Sequence, residues 1–175
     1  HKGRRRGMRT AMVSGTFDPV TLGHVDLAER ASRLFDQVIM TMMINPDKHD
    51  RFPVEQRLAF LRDAVAHLPN VRVDFWDGML YEYVLAHGIC ANVRGIRSEK
   101  DAAYELDMAE YNLAHAPSCE TLLLPAKKGL EQLSSTEVMR RSRAGEDISA
   151  LVTPMVAQAL QTDKKGEVSY GRDSH

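Results

Sequence analysis

The alternation of strand-like and helix-like segments is the feature that most constrains the fold of this chain. The segment QVIMTMMI, at 37–44, is a continuous apolar run of strand length, which is typical of a strand buried on both faces. Four shorter segments also have strand patterns, at 9–13, 71–75, 89–93 and 120–124. Helical periodicity or helix-capping residues predict helices between and after them, at 22–34, 54–67, 79–87, 99–115, 134–144 and 154–161.

Strands that alternate with helices predict an α/β fold. We expect a Rossmann-like, doubly wound, five-stranded parallel sheet with helices on both faces and further helices at the C-terminus. Ligands of such sheets bind beyond the carboxyl ends of the strands. The segments predicted to leave those ends are the loops 14–21, 45–52, 76–78, 94–98 and 125–133.

The length of 175 residues predicts one domain, which we place at residues 8–161. Residues 1–7 are interpreted as a cloning remnant and residues 162–175 as a polar tail that frays. The net charge is −1, and it is −5 without the four cations of the remnant, so we expect neither nucleic-acid nor membrane binding.

The two cysteines, Cys90 and Cys119, do not form a C-x-x-C motif. We interpret them as buried free thiols in a reducing compartment. No apolar run is long enough to cross a bilayer and no signal peptide is visible. The expected location of the protein is therefore the cytoplasm.

The first predicted loop, SGTFDPVTLGH, combines turn residues with a histidine in the first turn of the following helix. A helix N-terminus offers unpaired N–H groups and partial positive charge, which favour an anion. A protonated His24 is disfavoured there unless an anion is close. Alternatively, the glycines serve only the turn and His24 is a surface residue at the helix start.

Basic and hydroxyl side chains follow three other strands. Lys48 lies in the second loop, with Arg51 nearby. Arg94 and Arg97 of RGIR follow the fourth strand, where planar guanidinium groups suit phosphate. The hydroxyls of SST at 134–136 begin a helix that a capping box marks. Each feature also has a simpler explanation: a solvated lysine, a salt-bridged surface turn with the adjacent Glu99 and Asp101, and a helix cap at Ser134.

Together these loops place two helix N-termini and several basic residues at one edge of one sheet. This arrangement suits a polyphosphate. The chain lacks both the G-x-x-x-x-G-K-[ST] motif of P-loop proteins and the G-x-G-x-x-G motif of dinucleotide-binding proteins.

These motifs carry a resemblance to a known family. GTFDPVTLGH resembles the T/H-x-G-H signature of the nucleotidylyltransferase superfamily, and SSTEV resembles its second signature. Within the superfamily the chain is most similar to the bacterial phosphopantetheine adenylyltransferases. Thr21 stands where many relatives have a first histidine, RGIR precedes YELDMAEYN, and NPDKHDRF carries Lys48. The resemblance runs from about Met8 to Leu160.

The resemblance implies an activity in coenzyme A biosynthesis. An enzyme of this family transfers AMP from ATP to 4′-phosphopantetheine and forms dephospho-coenzyme A and pyrophosphate. The resemblance also implies Mg²⁺ accompanying ATP, a homohexamer, and feedback binding of coenzyme A. The nucleophile is already anionic, so positioning and electrostatic stabilisation can carry the in-line attack without a covalent intermediate.

The resemblance also implies residue roles. His24 stabilises the transition state. Phosphopantetheine is bound by Thr16, Lys48, Leu80 and Arg94. The implied ATP contacts are Thr16, Phe17, His24, Gly95, Ile96, Arg97, Glu105, Leu130, Glu131, Gln132, Leu133, Ser134, Ser135 and Thr136.

The sequence departs from the family at several positions. Leu22 stands where members often have Asn or Tyr, and Ser14 replaces a frequent proline. GLEQLSST lacks the aromatic residues of some members, which leaves the adenine contacts of the loop 125–133 open.

Three other functions are alternatives. An adenylyltransferase for a pyridine mononucleotide would be expected to have His at position 21 and to lack RGIR. A regulatory nucleotide-binding module without catalysis conflicts with the intact His24, Lys48, Arg94 and Arg97. A scaffold protein leaves the basic strand ends unexplained.

Overall fold

The computed structural model of the protein describes residues 7–47 and 50–172, so Lys48 lies outside the described residues. Its centre is a five-stranded sheet in which all neighbouring strands are parallel, in the order β3-β2-β1-β4-β5. The strands are β1 (Thr10–Gly15), β2 (Gln37–Met43), β3 (Val71–Trp76), β4 (Ala91–Ile96) and β5 (Glu120–Pro125).

Six helices connect and follow the strands, at the positions that the sequence predicts. They are α1 (Leu22–Ser32), α2 (Val54–Val65), α3 (Leu80–His87), α4 (Glu99–His115), α5 (Ser135–Arg143) and α6 (Pro154–Arg172). The predicted end of the last helix at residue 161 is wrong, because α6 continues through the lysine- and glutamate-containing stretch to Arg172. Lys and Glu are good helix formers, and this stretch contains no proline.

Alternating residues of the strands belong to two hydrophobic cores, one on each face of the sheet. The larger core packs Val38 and Met40 of β2 against α1, α2, α5 and α6. The smaller core packs Ile39 of β2 and Met12 of β1 against Tyr83 and other residues of α3 and the α4–β5 turn. The predicted doubly wound sheet, with helices on both faces, is confirmed.

The strand order reverses between β1 and β4, and these strands pair over a short length. β1 pairs with β2 up to Gly15, whereas its pairing with β4 covers only Ala11 and Met12. A crevice therefore opens between the carboxyl ends of β1 and β4, the place where doubly wound sheets bind ligands. Beneath it, the Ser14 hydroxyl donates to Asn92 Oδ1 over 2.9 Å.

The predicted loop at 94–98 is wrong for its first three residues. Arg94, Gly95 and Ile96 belong to β4, where they pair with Leu123, Leu124 and Pro125 of β5. Arg and Gly are weak strand formers, so only the pairing with β5 reveals the extension.

Among the described residues, the structure contains no helix long and apolar enough to cross a membrane.

Candidate active site

A cavity of about 450 Å³ lies at the carboxyl ends of β1 and β4, between α1, α4 and α5. The loop after β1 forms one wall, and the loop between β5 and α5 forms another. Most residues that sequence reasoning assigned to the site line this cleft: Thr16, Phe17, His24, Arg94, Gly95, Arg97, Glu105, Leu130, Leu133, Ser135 and Thr136.

The other assigned residues do not line the cleft or lie outside the described residues. Leu80 packs against the smaller core, on the opposite face of the sheet from the larger one. The backbone carbonyl of Ile96 accepts a hydrogen bond from Ala126, which ties β4 to the loop after β5. Glu131, Gln132 and Ser134 also do not line the cleft, and Lys48 lies outside the described residues.

Thr21 fixes the position and the tautomer of His24. Thr21 is the N-cap of α1, and its buried hydroxyl accepts from the His24 backbone N–H over 3.4 Å. In return, the Thr21 backbone N–H donates to His24 Nδ1 over 3.0 Å. Because Nδ1 accepts this bond, the proton of the neutral ring is at Nε2. His24 is therefore held as an Nε2–H donor.

His24 lines the cleft as a neutral imidazole. Burial, and to a smaller extent the nearby positive charges of Arg94 and Arg97, together lower the pKa of His24 to about 4. Phe17 packs its ring edge-on against the imidazole, with 4.9 Å between the ring centroids. At neutral pH the side chain can thus donate a hydrogen bond without carrying a charge.

Phe17 packs its buried ring beneath the lining of the cleft, against His24. Its side chain is 2% exposed, and its backbone has a φ of 46°, in the left-handed region that side chains other than glycine rarely adopt. A Cβ on Gly15, the last residue of β1, would lie 3.1 Å from this ring, so the ring would have to shift by a few tenths of an ångström to admit it. The predicted ATP contact at Phe17 would therefore involve its backbone more than its buried ring.

Arg94 projects from β4 into the cleft and is held by Glu105 of α4. Its Nε and Nη2 donate to the two carboxylate oxygens of Glu105 over 3.0 and 2.7 Å. Its Nη1 donates to the carbonyl oxygen of Ser14. Nη1 also donates to the Ser14 hydroxyl over 3.4 Å. A guanidinium group has five N–H donors, so these four contacts leave at least one donor of Arg94 for a phosphate. Glu105, assigned as a nucleoside contact, uses both oxygens to orient Arg94.

Arg97 joins β4 to the segment before α5. Its Nε donates to Asp101 over 3.1 Å, and its Nη1 donates to the carbonyl oxygen of Leu133 over 3.1 Å. The salt bridge with Asp101, the simpler explanation of RGIR, is thus present. Arg97 nevertheless lines the cleft, where its remaining N–H groups are available.

The three hydroxyls at the start of α5 have different contacts. Ser134 is the N-cap and accepts from the Glu137 backbone N–H over 3.0 Å, which is one half of the predicted capping box. The Glu137 carboxylate binds two arginines of α5 instead of the Ser134 backbone. Ser135 donates to the carbonyl oxygen of Pro19 over 2.8 Å. Thr136 accepts from Arg51 over 3.0 Å. The N-terminus of α5 is thereby fixed against the loop after β1.

Sequence reasoning missed two buried charged residues that hold the first two loops together. The Asp18 carboxylate accepts from the backbone N–H groups of Arg51 and Phe52 over 2.7 and 3.0 Å. Arg57 of α2 is 0% exposed and donates to the carbonyl oxygens of Phe52 and Thr16 over 3.1 and 3.2 Å.

Arg57 Nη2 also lies 2.8 Å from Asp50 Oδ2, although it makes no hydrogen bond of good geometry. We therefore treat this contact as an ion pair. The partners of Arg57 are distant in sequence, so no local pattern marks it. The DP that follows GTF is the one signal that could have directed attention to Asp18.

The fold and the cleft define a protein of the cytidylyltransferase-like class, and the model of that family matches residues 12–141. The phosphopantetheine adenylyltransferase of Shouchella clausii is 41% identical over 88% of this chain and 97% of its own length. That of Herpetosiphon aurantiacus is 42% identical over 88% of this chain and 93% of its own. This chain belongs to the phosphopantetheine adenylyltransferase family.

The fold is also similar to that of a solved structure, a lipopolysaccharide core biosynthesis protein from Thermoplasma volcanium. The two have a TM-score of 0.51 at 19% identity, and the match covers 70% of this chain and 98% of that one. At this identity the similarity concerns the fold alone.

Proposed function

We propose that this protein transfers the adenylyl group of ATP to 4′-phosphopantetheine, with dephospho-coenzyme A and pyrophosphate as products. The observation that carries the proposal is the position of His24. It is a neutral Nε2–H donor in a cleft that Arg94, Arg97 and the N-terminus of α5 also line. Membership of the phosphopantetheine adenylyltransferase family supports the choice of acceptor.

The reaction needs positioning and charge stabilisation more than acid–base chemistry. An oxygen of the 4′-phosphate attacks the α-phosphorus of ATP, and the bond from that phosphorus to the bridging oxygen breaks. The electron pair leaves with pyrophosphate. Negative charge on the α-phosphate oxygens is stabilised by His24 Nε2–H, a donor that Thr21 holds in place before the substrates bind.

We assign the acceptor phosphate to Arg94 and Lys48. Glu105 orients the Arg94 guanidinium, so the N–H donor that remains is fixed before the acceptor binds. Thr16 and Leu80 complete the proposed acceptor contacts. The ATP contacts are proposed at Gly95, Ile96, Arg97 and the segment 130–136.

Mg²⁺ is proposed to enter with ATP. The described residues contain no group of three or more His, Cys, Asp or Glu side chains that could hold a metal. In the cleft, Glu105 and Asp101 are paired with arginines. This donor set fits an ion held mainly by phosphate oxygens, which is common for Mg²⁺. Bound there, the ion would neutralise phosphate charge.

We further propose a homohexamer. α4 buries only Glu105 among its seventeen residues, and it exposes the apolar side chains Leu106, Met108, Tyr111 and Leu113. Exposed apolar residues of this number favour a covering partner, and a second copy of the chain suits the family. Light scattering after size exclusion should give six times the chain mass of 19.7 kDa. A monomer mass would contradict the proposal.

Two proposals concern the cellular setting. Coenzyme A contains the same phosphopantetheine arm as the product, so we propose that it competes for the acceptor side of the cleft. The free thiols Cys90 and Cys119 are compatible with a reducing compartment, and we propose the cytoplasm.

The proposed function is tested by the choice of acceptor. The protein is incubated with ATP and Mg²⁺ and either phosphopantetheine or nicotinamide mononucleotide, and pyrophosphate release is measured. We expect release with phosphopantetheine and formation of dephospho-coenzyme A, identified by mass. Release only with the pyridine mononucleotide would replace the proposed acceptor, and release with neither would remove the activity.

A further inference from the structure

Arg51 differs from the other arginines that line the cleft. Arg30, Arg94 and Arg97 each form a salt bridge with a carboxylate, which is Asp26, Glu105 and Asp101 respectively. Within the part of the chain that the structure describes, Arg51 has no carboxylate within salt-bridge distance. Among the described residues that line the cleft, Arg51 is therefore the arginine without a salt-bridge partner.

Neutral oxygens nevertheless hold the Arg51 side chain in one orientation. Nη1 donates to the backbone carbonyl oxygen of Asp18 over 3.0 Å, and Nη2 donates to the Thr136 hydroxyl over 3.0 Å. Its backbone N–H donates to Asp18 Oδ2 over 2.7 Å. Ordering an exposed arginine costs side-chain entropy, and these hydrogen bonds offset that cost before any ligand binds. Here, the guanidinium bridges the loop after β1 and the first turn of α5.

Buried residues fix the backbone next to Arg51. Asp18 accepts from the backbone N–H of the next residue, Phe52, and the buried Arg57 donates to the Phe52 carbonyl oxygen. Both backbone groups of Phe52 are therefore bound, and the chain cannot shift at Arg51 without breaking these contacts. Such pre-organisation reduces the cost of binding a ligand.

The location of Arg51 indicates which phosphate it meets. Its partner Thr136 is in the first turn of α5, where the N–H groups and the helix dipole also favour an anion. A fixed guanidinium without a salt-bridge partner, beside a helix N-terminus, is suited to bind two neighbouring phosphate groups. The diphosphate of ATP fits this description better than the single phosphate of the acceptor does.

We propose that Arg51 binds the β- and γ-phosphates of ATP and stabilises the pyrophosphate that leaves. This inference rests on the proposed function. As the bond between the α-phosphorus and the bridging oxygen breaks, the electron pair moves to that oxygen. The negative charge of the leaving group grows, and the Arg51 N–H groups at the α5 N-terminus stabilise it.

The test measures pyrophosphate binding by calorimetry, without any acceptor. R51M removes the charge and keeps an apolar chain of similar reach, and R51K keeps the charge but loses the planar fork. R62M is the matched control, because Arg62 is an exposed arginine of α2 that does not line the cleft. Steady-state KM values for ATP and phosphopantetheine complete the comparison.

We expect R51M to weaken pyrophosphate binding roughly tenfold or more, as for the loss of a charge-assisted hydrogen bond. R51K should lose less, and R62M should bind as the wild type does. The KM for phosphopantetheine should stay within about twofold in all variants. Unchanged pyrophosphate affinity in a folded R51M protein would overturn the proposal, as would a wild type that does not bind pyrophosphate.

A rise confined to the KM for phosphopantetheine would assign Arg51 to the acceptor phosphate instead and would also overturn the proposal. Because the binding measurement needs no acceptor, an error in the proposed acceptor would leave the result on Arg51 readable.

Discussion

His24 and Arg57 both hold the loop after β1, one from α1 and the other from α2, but they use their hydrogen-bonding groups differently. Burial and the nearby charges of Arg94 and Arg97 lower the pKa of His24 to about 4, so its ring is neutral and accepts a backbone N–H at Nδ1. Arg57 is fully buried, donates to two carbonyl oxygens and lies beside Asp50.

The difference shows how this molecule separates chemistry from support. His24 lines the cleft and keeps one ring N–H for a substrate, whereas Arg57 does not line it and binds only protein oxygens. We therefore expect changes at His24 to affect turnover and changes at Arg57 to affect stability. The following predictions test this separation, in order of decreasing effect.

Replacing His24 should give the largest loss of turnover. His24→Ala should lower kcat by on the order of 100-fold or more, since it removes a donor to the transition state. The free energy of unfolding should fall by only about 1 kcal/mol, the usual cost of a lost helix cap. Steady-state kinetics and urea unfolding measure the two quantities.

His24→Asn is the control, because its side-chain oxygen can still accept from Thr21 but the residue offers no donor as far out as Nε2. It should retain the stability and lose the turnover. Near-normal kcat in either variant would show that His24 is not the donor.

Replacing Arg57 should have its main effect on stability. Arg57→Met leaves the carbonyl oxygens of Phe52 and Thr16 without a buried donor, which should lower the free energy of unfolding by about 2 kcal/mol. Folded protein at 25 °C should retain turnover within about tenfold. Arg62→Met, on the exposed side of the same helix, should change stability by no more than about 0.5 kcal/mol. If Arg57→Met lowered kcat more than His24→Ala does, the assignment of Arg57 to support and His24 to chemistry would be contradicted.

Replacing Lys48 should affect one substrate more than the other. Lys48→Ala should raise the KM for phosphopantetheine roughly tenfold, as expected when a charged hydrogen bond to a phosphate is lost. The affinity for ATP should change much less. Equal effects on both substrates would remove the role assigned to Lys48.

The smallest effect concerns pH. The folded pKa of His24 is below its ordinary value of 6.5, so below pH 6.5 the unfolded chain binds a proton that the folded chain does not. The contribution of neutral His24 to the free energy of unfolding is complete above pH 6.5 and is lost as the pH falls towards 4. Between pH 7.5 and pH 5.5 the free energy of unfolding of the wild type should fall by about 1 kcal/mol more than that of His24→Gln. Identical pH profiles of unfolding would contradict the lowered pKa.

Periodicity and turn residues were sufficient to predict the sheet, its helices and the edge where the cleft lies. The apolar run of β2 and the helical spacing of α2 are local signals, and the structure follows them. The strand extension at Arg94 was missed because it depends on pairing with β5. Burial of Arg57 was missed because its partners come from loops distant in sequence.

The T/H-x-G-H signature drew attention to His24 but did not reveal how it is held. Thr21 served there only to distinguish related enzymes. The structure shows that its backbone N–H sets the tautomer of His24, and backbone contacts of this kind depend on the capping geometry and not on the residue type alone. The contacts of Arg51 with Asp18 and Thr136 likewise appear only once the loops are folded.

The central claim is that His24 is a neutral Nε2–H donor in the folded protein. ¹⁵N-edited NMR of labelled histidine side chains tests it directly, with the His24 signals assigned by their loss in His24→Gln. We expect the Nε2–H tautomer throughout pH 5.5 to 8, with protonation only near pH 4. An Nδ1–H tautomer, or a ring that titrates near its ordinary pKa of 6.5, would contradict the account.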